Sequence, residues 1–158
     1  MRFQRLAIRA ASPTGAQITS VPAHPPRAFD VSFSSDSHFL ASSGLDTTVK
    51  LWKVNAGKLE LRHTLRGHVG WAPSSFSPDG RRLFCGSTGD STLKIWDTDN
   101  GLTLGTIYGA HQGNPGNPGF SLSRNGDAIY SATETGEFRI LRAPLLPQSP
   151  PESTKLGD

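Results

Sequence analysis

Serine, histidine and aspartate recur together along this chain of 158 residues, and they are the side chains through which it could do chemistry. Ser42, Asp46 and His68 fall within one short stretch. If proximity alone decided, they would be a nucleophile, an orienting carboxylate and a base. Cys85, the one cysteine, lies in the strand-like stretch Leu83 to Ser87, where a small buried hydrophobe is expected instead of a reactive thiol. Asp97-Thr98-Asp99-Asn100-Gly101 has the alternating carboxylates and glycine bend that open a calcium loop. It lacks the third ligand in register and a closing glutamate, and a turn uses Asp, Asn and Gly for backbone reasons, so no metal is expected there. The sequence shows no Gly-rich phosphate cradle, no paired catalytic carboxylates and no Cys/His cluster, and no cofactor is expected.

The elements that carry these residues repeat. Asp46-Thr47-Thr48-Val49-Lys50-Leu51-Trp52 returns 44 residues later as Asp90-Ser91-Thr92-Leu93-Lys94-Ile95-Trp96. His24, His68 and His111 are 44 and 43 residues apart, and Phe33 and Phe76, each opening a Phe-Ser pair, are 43 apart. Asp36-Ser37, Asp79-Gly80 and Asn125-Gly126 separate apolar runs at the same interval, and the last two predict hairpins with both residues at positive φ. A unit of 43 to 45 residues with four short apolar runs has the length of one four-stranded blade of a β-propeller.

These residues resemble the WD40 family, whose repeats carry a Gly-His, a Phe-Ser-Pro-Asp-Gly turn, an Asp and a closing Trp-Asp. The second unit is nearest to the pattern, with Gly67-His68, Phe76-Ser77-Pro78-Asp79-Gly80, Asp90 and Trp96-Asp97. The first has Ala23-His24, Phe33-Ser34-Ser35-Asp36, Asp46 and Trp52-Lys53. The third keeps Gly109-Ala110-His111 and Leu122-Ser123-Arg124-Asn125-Gly126, with Thr135 for the Asp and Leu141 for the Trp. The resemblance covers residues 1–142 and implies a buried hydrogen-bonded network in each blade. Carried over by position, the network is His24, Ser42, Asp46 and Trp52 in the first unit and His68, Asp90 and Trp96 in the second. Cys85 aligns with Ser42, so the second network lacks its hydroxyl unless Ser87 replaces it, and the third keeps only His111 and Ser131. A group repeated in successive blades is structural, so no catalytic residue is expected.

Composition agrees with an all-β chain: 35% hydrophobic residues with 17 glycines and 12 prolines suit many turns better than helices. A formal charge of +3 without a concentrated basic face argues against nucleic acid. Arg2, Arg5, Arg9, Arg62 and Arg66, the densest basic positions, read as solvated strand edges. One cysteine excludes an intramolecular disulfide and favours a reducing compartment. No apolar run is long enough to span a bilayer, so no membrane partner is expected, and the expected location is cytoplasmic.

Leu6-Ala7-Ile8-Arg9 aligns with Leu93-Lys94-Ile95-Trp96, so residues 1–24 read as the last two strands of an earlier blade. Repeats then occupy 25–67, 68–110 and, in degenerate form without a fourth strand, 111–142. The Pro-rich tail 143–158 is expected to be disordered. The expected fold is therefore an incomplete ring of WD40-like blades, which leaves blade faces and strand edges open. A fragment of a longer propeller, or copies that associate to close the ring, would meet that difficulty. The expected function is a non-catalytic protein–protein interaction scaffold. The alternatives are a regulatory or sensory segment of a larger, for example kinase-linked, signalling protein and a propeller enzyme domain. Arg27, Trp71 and Asn114, each three residues after a marker histidine, are expected near the binding rim, with Trp71 first among them.

Overall fold

The computed structural model of the chain describes residues 5–9, 17–70, 72–87, 89–110, 120–132 and 137–142. Among them the regular elements are all strands: there are thirteen, in four antiparallel sheets. β1 (Arg5–Arg9) and β2 (Gln17–Pro22) pair as a two-stranded sheet. β3 (Ala28–Phe33), β4 (Phe39–Gly44), β5 (Val49–Asn55) and β6 (Lys58–Leu65) form a four-stranded meander. β7 (Ser74–Phe76), β8 (Arg82–Gly86), β9 (Thr92–Asp97) and β10 (Thr103–Tyr108) repeat it. β11 (Phe120–Leu122), β12 (Ala128–Ala132) and β13 (Phe138–Arg142) form a third sheet of three strands. These are propeller blades, and the register repeats with them: Leu40 faces Trp52, Leu83 faces Trp96 and Ile129 faces Leu141.

Successive side chains of a strand point to opposite faces, so each blade offers a different row to each neighbour. On β5, Val49 and Leu51 face the second blade, where they meet Phe76, Leu83, Cys85 and Trp96. Trp52, from the same strand, turns the other way and packs with Leu40, Ala23 and Val21 against β2. Phe84, Leu93 and Ile95 of the second blade pack against Ile129, Phe120, Leu122 and Leu141 of the third. The core is therefore three layers between sheets, and a blade buries its apolar rows only by having neighbours.

The turns between first and second strands differ from the expected hairpin. Positive φ falls on one residue of each, Ser37 (60°), Gly80 (70°) and Gly126 (73°). The preceding pair, such as Pro78-Asp79, forms the centre of the turn, closed by the Gly80 amide donating to the Ser77 carbonyl at 2.9 Å. This is a turn followed by one left-handed residue, the geometry that lets proline occupy the first central position. Ser77 also staples the turn: its Oγ donates to Asp79 Oδ1 at 2.6 Å and accepts from the Arg82 amide at 2.9 Å. Ser34 does the same with Asp36 and Phe39, and Ser123 with Asp127 and Ala128.

Candidate functional site

The first blade brings together the residues with chemical potential. His24 follows β2, Ser42 lies on β4, Asp46 in the β4–β5 turn and Trp52 on β5. His24 Nδ1 is 2.8 Å from Asp46 Oδ1, and its Nε2 is 2.8 Å from Ser42 Oγ. The Trp52 indole N–H donates to the same Ser42 Oγ at 2.9 Å. Thr48 donates to Asp46 Oδ1 from both Oγ1, at 2.9 Å, and its amide, at 3.2 Å. Burial raises the Asp46 carboxyl pKa, but the hydrogen bonds from His24 and Thr48 outweigh it and hold the group below the ordinary carboxylate value.

Serine, imidazole and carboxylate in this order are the parts of a hydrolytic triad, and access decides against that use. His24 and Ser42 are both 0% exposed, and the serine oxygen already accepts the indole proton. A nucleophile must reach a carbonyl carbon, and here no substrate atom can approach. His68, the base of the proximity set, belongs instead to the second blade, where it is buried edge-on against Trp96 with ring centroids 6.4 Å apart.

The second blade reproduces the carboxylate and loses the hydroxyl. Asp90 accepts from Thr92 Oγ1 at 2.6 Å and from the Thr92 amide at 3.0 Å. Burial raises its pKa, and bonds from Thr92 and Ser87, with His68 nearby, lower it further than burial raises it. Cys85 occupies the position of Ser42, fully buried, and burial pushes its thiol up, away from a reactive thiolate. Ser87 does not replace the missing acceptor: its Oγ donates to the Val69 carbonyl at 2.7 Å, and Trp96 Nε1 is buried with no acceptor among the described residues. Restoring the oxygen with Cys85→Ser should stabilise the protein by about 1 kcal/mol. A denaturant midpoint that falls or stays put in this variant would contradict the assignment.

In the third blade Ser131 Oγ donates to the Ala110 carbonyl. His111 and Thr135, with Trp71, Asn114 and the tail 143–158, lie outside the described residues. Asp97 serves its own turn, accepting the amides of Asp99 at 2.8 Å and Asn100 at 3.0 Å. Asp99 pairs with Arg62 of the first blade at 2.5 Å. The apparent calcium loop is therefore a turn that ties two blades together.

Two devices escaped the sequence reading. Lys50 Nζ donates to the Ala23 carbonyl beside His24, and Arg139 donates to the Gly109 carbonyl at 2.9 Å, so a cation on the third strand caps the loop that carries the marker histidine. The alternation Lys50-Leu51-Trp52 and Arg139-Ile140-Leu141 signals it. The turn serines are the second device, and they predict an acid limit. The Ser34 hydroxyl and the His38 amide lower Asp36 from 3.8 to about 2, and Asp79, Asp90 and Asp46 are lowered too. Carboxylates depressed in the folded state stabilise above their unfolded pKa and cease to do so as pH falls through the folded one. Melting temperature should therefore drop as pH is lowered from about 4 towards 2; a flat profile over that window would contradict the staples.

At the loop rim, Arg27 is exposed with its guanidinium 5.0 Å from the Phe29 ring centroid, and its carbonyl accepts from the Leu45 amide at 2.8 Å. Val69 is 60% exposed on the corresponding loop of the second blade. Arg62 is exposed on the edge strand β6, as expected, and it also ties blades together: it is the extra residue of a bulge opposite Leu51 and Trp52, reaching Asp99 and the Phe39 ring.

A family model described as "WD domain, G-beta repeat" matches residues 15–53 and 59–97. A WD repeat-containing protein WDS homolog of Arabidopsis thaliana is 36% identical over 64% of this chain and 18% of its own length. The nuclear distribution protein PAC1 of Arthroderma benhamiae is 44% identical over 48% of the chain and 16% of its own. Periodic tryptophan protein 2 of Arabidopsis thaliana is 40% identical over 49% and 8%. The chain thus spans less than a fifth of each of these relatives.

Proposed function

The chain belongs to the WD40-repeat family, and from that premise we propose that it is a non-catalytic protein–protein interaction scaffold, an open arc of blades that takes its partner at the loop rim. The observation that carries this reading is the first-blade network. Its hydroxyl, imidazole and carboxylate are spent on one another and on Trp52, so their chemistry holds a rim loop to a sheet. Arg27, exposed at the rim, supports contact with another protein, because arginine is enriched among the residues that dominate interface energies. A cytoplasmic setting is part of the proposal, supported by the single buried thiol.

Alanine at Trp71, and separately at Arg27, should abolish capture of the partner in a pull-down while leaving the circular dichroism spectrum unchanged. Loss of folding in the Trp71 variant would make that residue part of the core. Full retention of binding in both variants would remove this rim from the interface.

A further inference from the structure

Tyr130, Phe138 and Ile140 on the last sheet are 44%, 86% and 65% exposed. The repeat register equates them with Ala41, Val49 and Leu51 of the first blade, which are 0% exposed because the second blade lies over them. At the other end of the stack Val31 and Phe33 of β3 are 49% and 48% exposed. The counterpart of Phe33 on β7, Phe76, is 8% exposed beneath the first blade, and that of Val31 is Ser74. The rows on β3 lie open because, among the described residues, the sheet before them consists of β1 and β2, paired to each other, with β2 packed under the outer half of the first blade. The two open faces are thus the two halves of an interface that the chain builds between its own blades.

We infer that these faces meet between two copies of the chain. The third sheet of one copy seats under the first blade of the other, Tyr130, Phe138 and Ile140 against Val31 and Phe33. The free edge of β13, which pairs only with β12 among the described residues, then takes the place at β2 that β1 holds in the single chain. An edge strand with unpaired amides and carbonyls favours such exchange. The contact is head-to-tail, and two of them related by a twofold axis close a ring. Each copy supplies two full blades and shares a third, giving about six blades, within the four to eight of closed propellers. The inference rests on the blade fold and is independent of the rim contact.

Light scattering on the full chain across a concentration series should show a monomer–dimer equilibrium. Val31→Asp and Ile140→Asp should each weaken the dimer at least about tenfold, the loss expected from an interface anchor. Removing residues 1–9, which vacates the edge of β2, should strengthen it. Where an aspartate variant proves unfolded by circular dichroism, mixing Val31→Cys and Ile140→Cys proteins under oxidising conditions decides, and an intermolecular crosslink is expected. A monomer at every concentration would overturn the inference and leave both faces to further blades of a longer polypeptide. A dimer indifferent to both aspartates and to the deletion, or one without the crosslink, would overturn it as well.

Discussion

Ser42→Ala is expected to destabilise the protein by roughly 2–4 kcal/mol, because it strips partners from two buried groups at once and each such loss costs about 1–3 kcal/mol. The Trp52 N–H would lose its acceptor, and His24 Nε2 would lose the hydroxyl that holds it. Histidine and serine are both 0% exposed, so the stripped groups are out of reach of bulk solvent. The second blade carries a natural counterpart of this loss, with Cys85 at the position of Ser42 and an indole that has no acceptor among the described residues. Equilibrium denaturation measures the effect. A change within about 0.5 kcal/mol, the range of ordinary surface substitutions, would show that the network contributes nothing.

The blades were legible because their signal is redundant. Periodicity of two on Val49 to Trp52, a histidine every 43 or 44 residues and a Phe-Ser turn in register each report the same unit, so the strands fall where the apolar runs lie. Burial was legible in the rows that alternate, since Leu51 and Trp52 must face different neighbours. The turn type was misread because Asp79-Gly80 is a strong hairpin pair in isolation, whereas Pro78 before it fixes the centre of the turn one residue earlier. Contacts between blades were beyond the sequence. Arg62 reaches Asp99 across 37 residues only because a bulge beside Trp52 re-aims it, and charge alone signals an exposed edge. Ser87 was a reasonable substitute for the missing hydroxyl by spacing, but the Val69 carbonyl claims it.

Gly44→Ala should be more damaging still, at about 3 kcal/mol or above, since overpacking alone costs about 1–3 kcal/mol and lost hydrogen bonds add to it. A Cβ there would lie 2.3 Å from His24 Cβ, 2.5 Å from its Cγ and 2.6 Å from the Arg27 carbonyl oxygen. None of these atoms is the end of a flexible side chain. The loop would have to lift away, taking His24 from Ser42 and Asp46 and moving Arg27 at the rim, so stability and partner capture should fall together. Gly105→Ala is the control, because a Cβ at that position meets nothing within 4 Å. It should leave stability unchanged or slightly raised, as expected when glycine leaves a strand. Equal melting temperatures for the Gly44 and Gly105 variants would refute the close approach of the loop to β4.

Each blade depends on the next for its burial, and hydrogen exchange in a Leu51→Ala variant tests that dependence most directly. Leu51 belongs to the first blade, yet its side chain is 0% exposed because Phe76, Leu83 and Trp96 of the second lie against it. Amides of β7, β8 and β9 should lose protection along with those of β4 and β5, as nearest-neighbour coupling between stacked repeats requires. Loss confined to the first blade, with the second exchanging as in the parent protein, would show that the blades stand independently and would contradict the stacked arc.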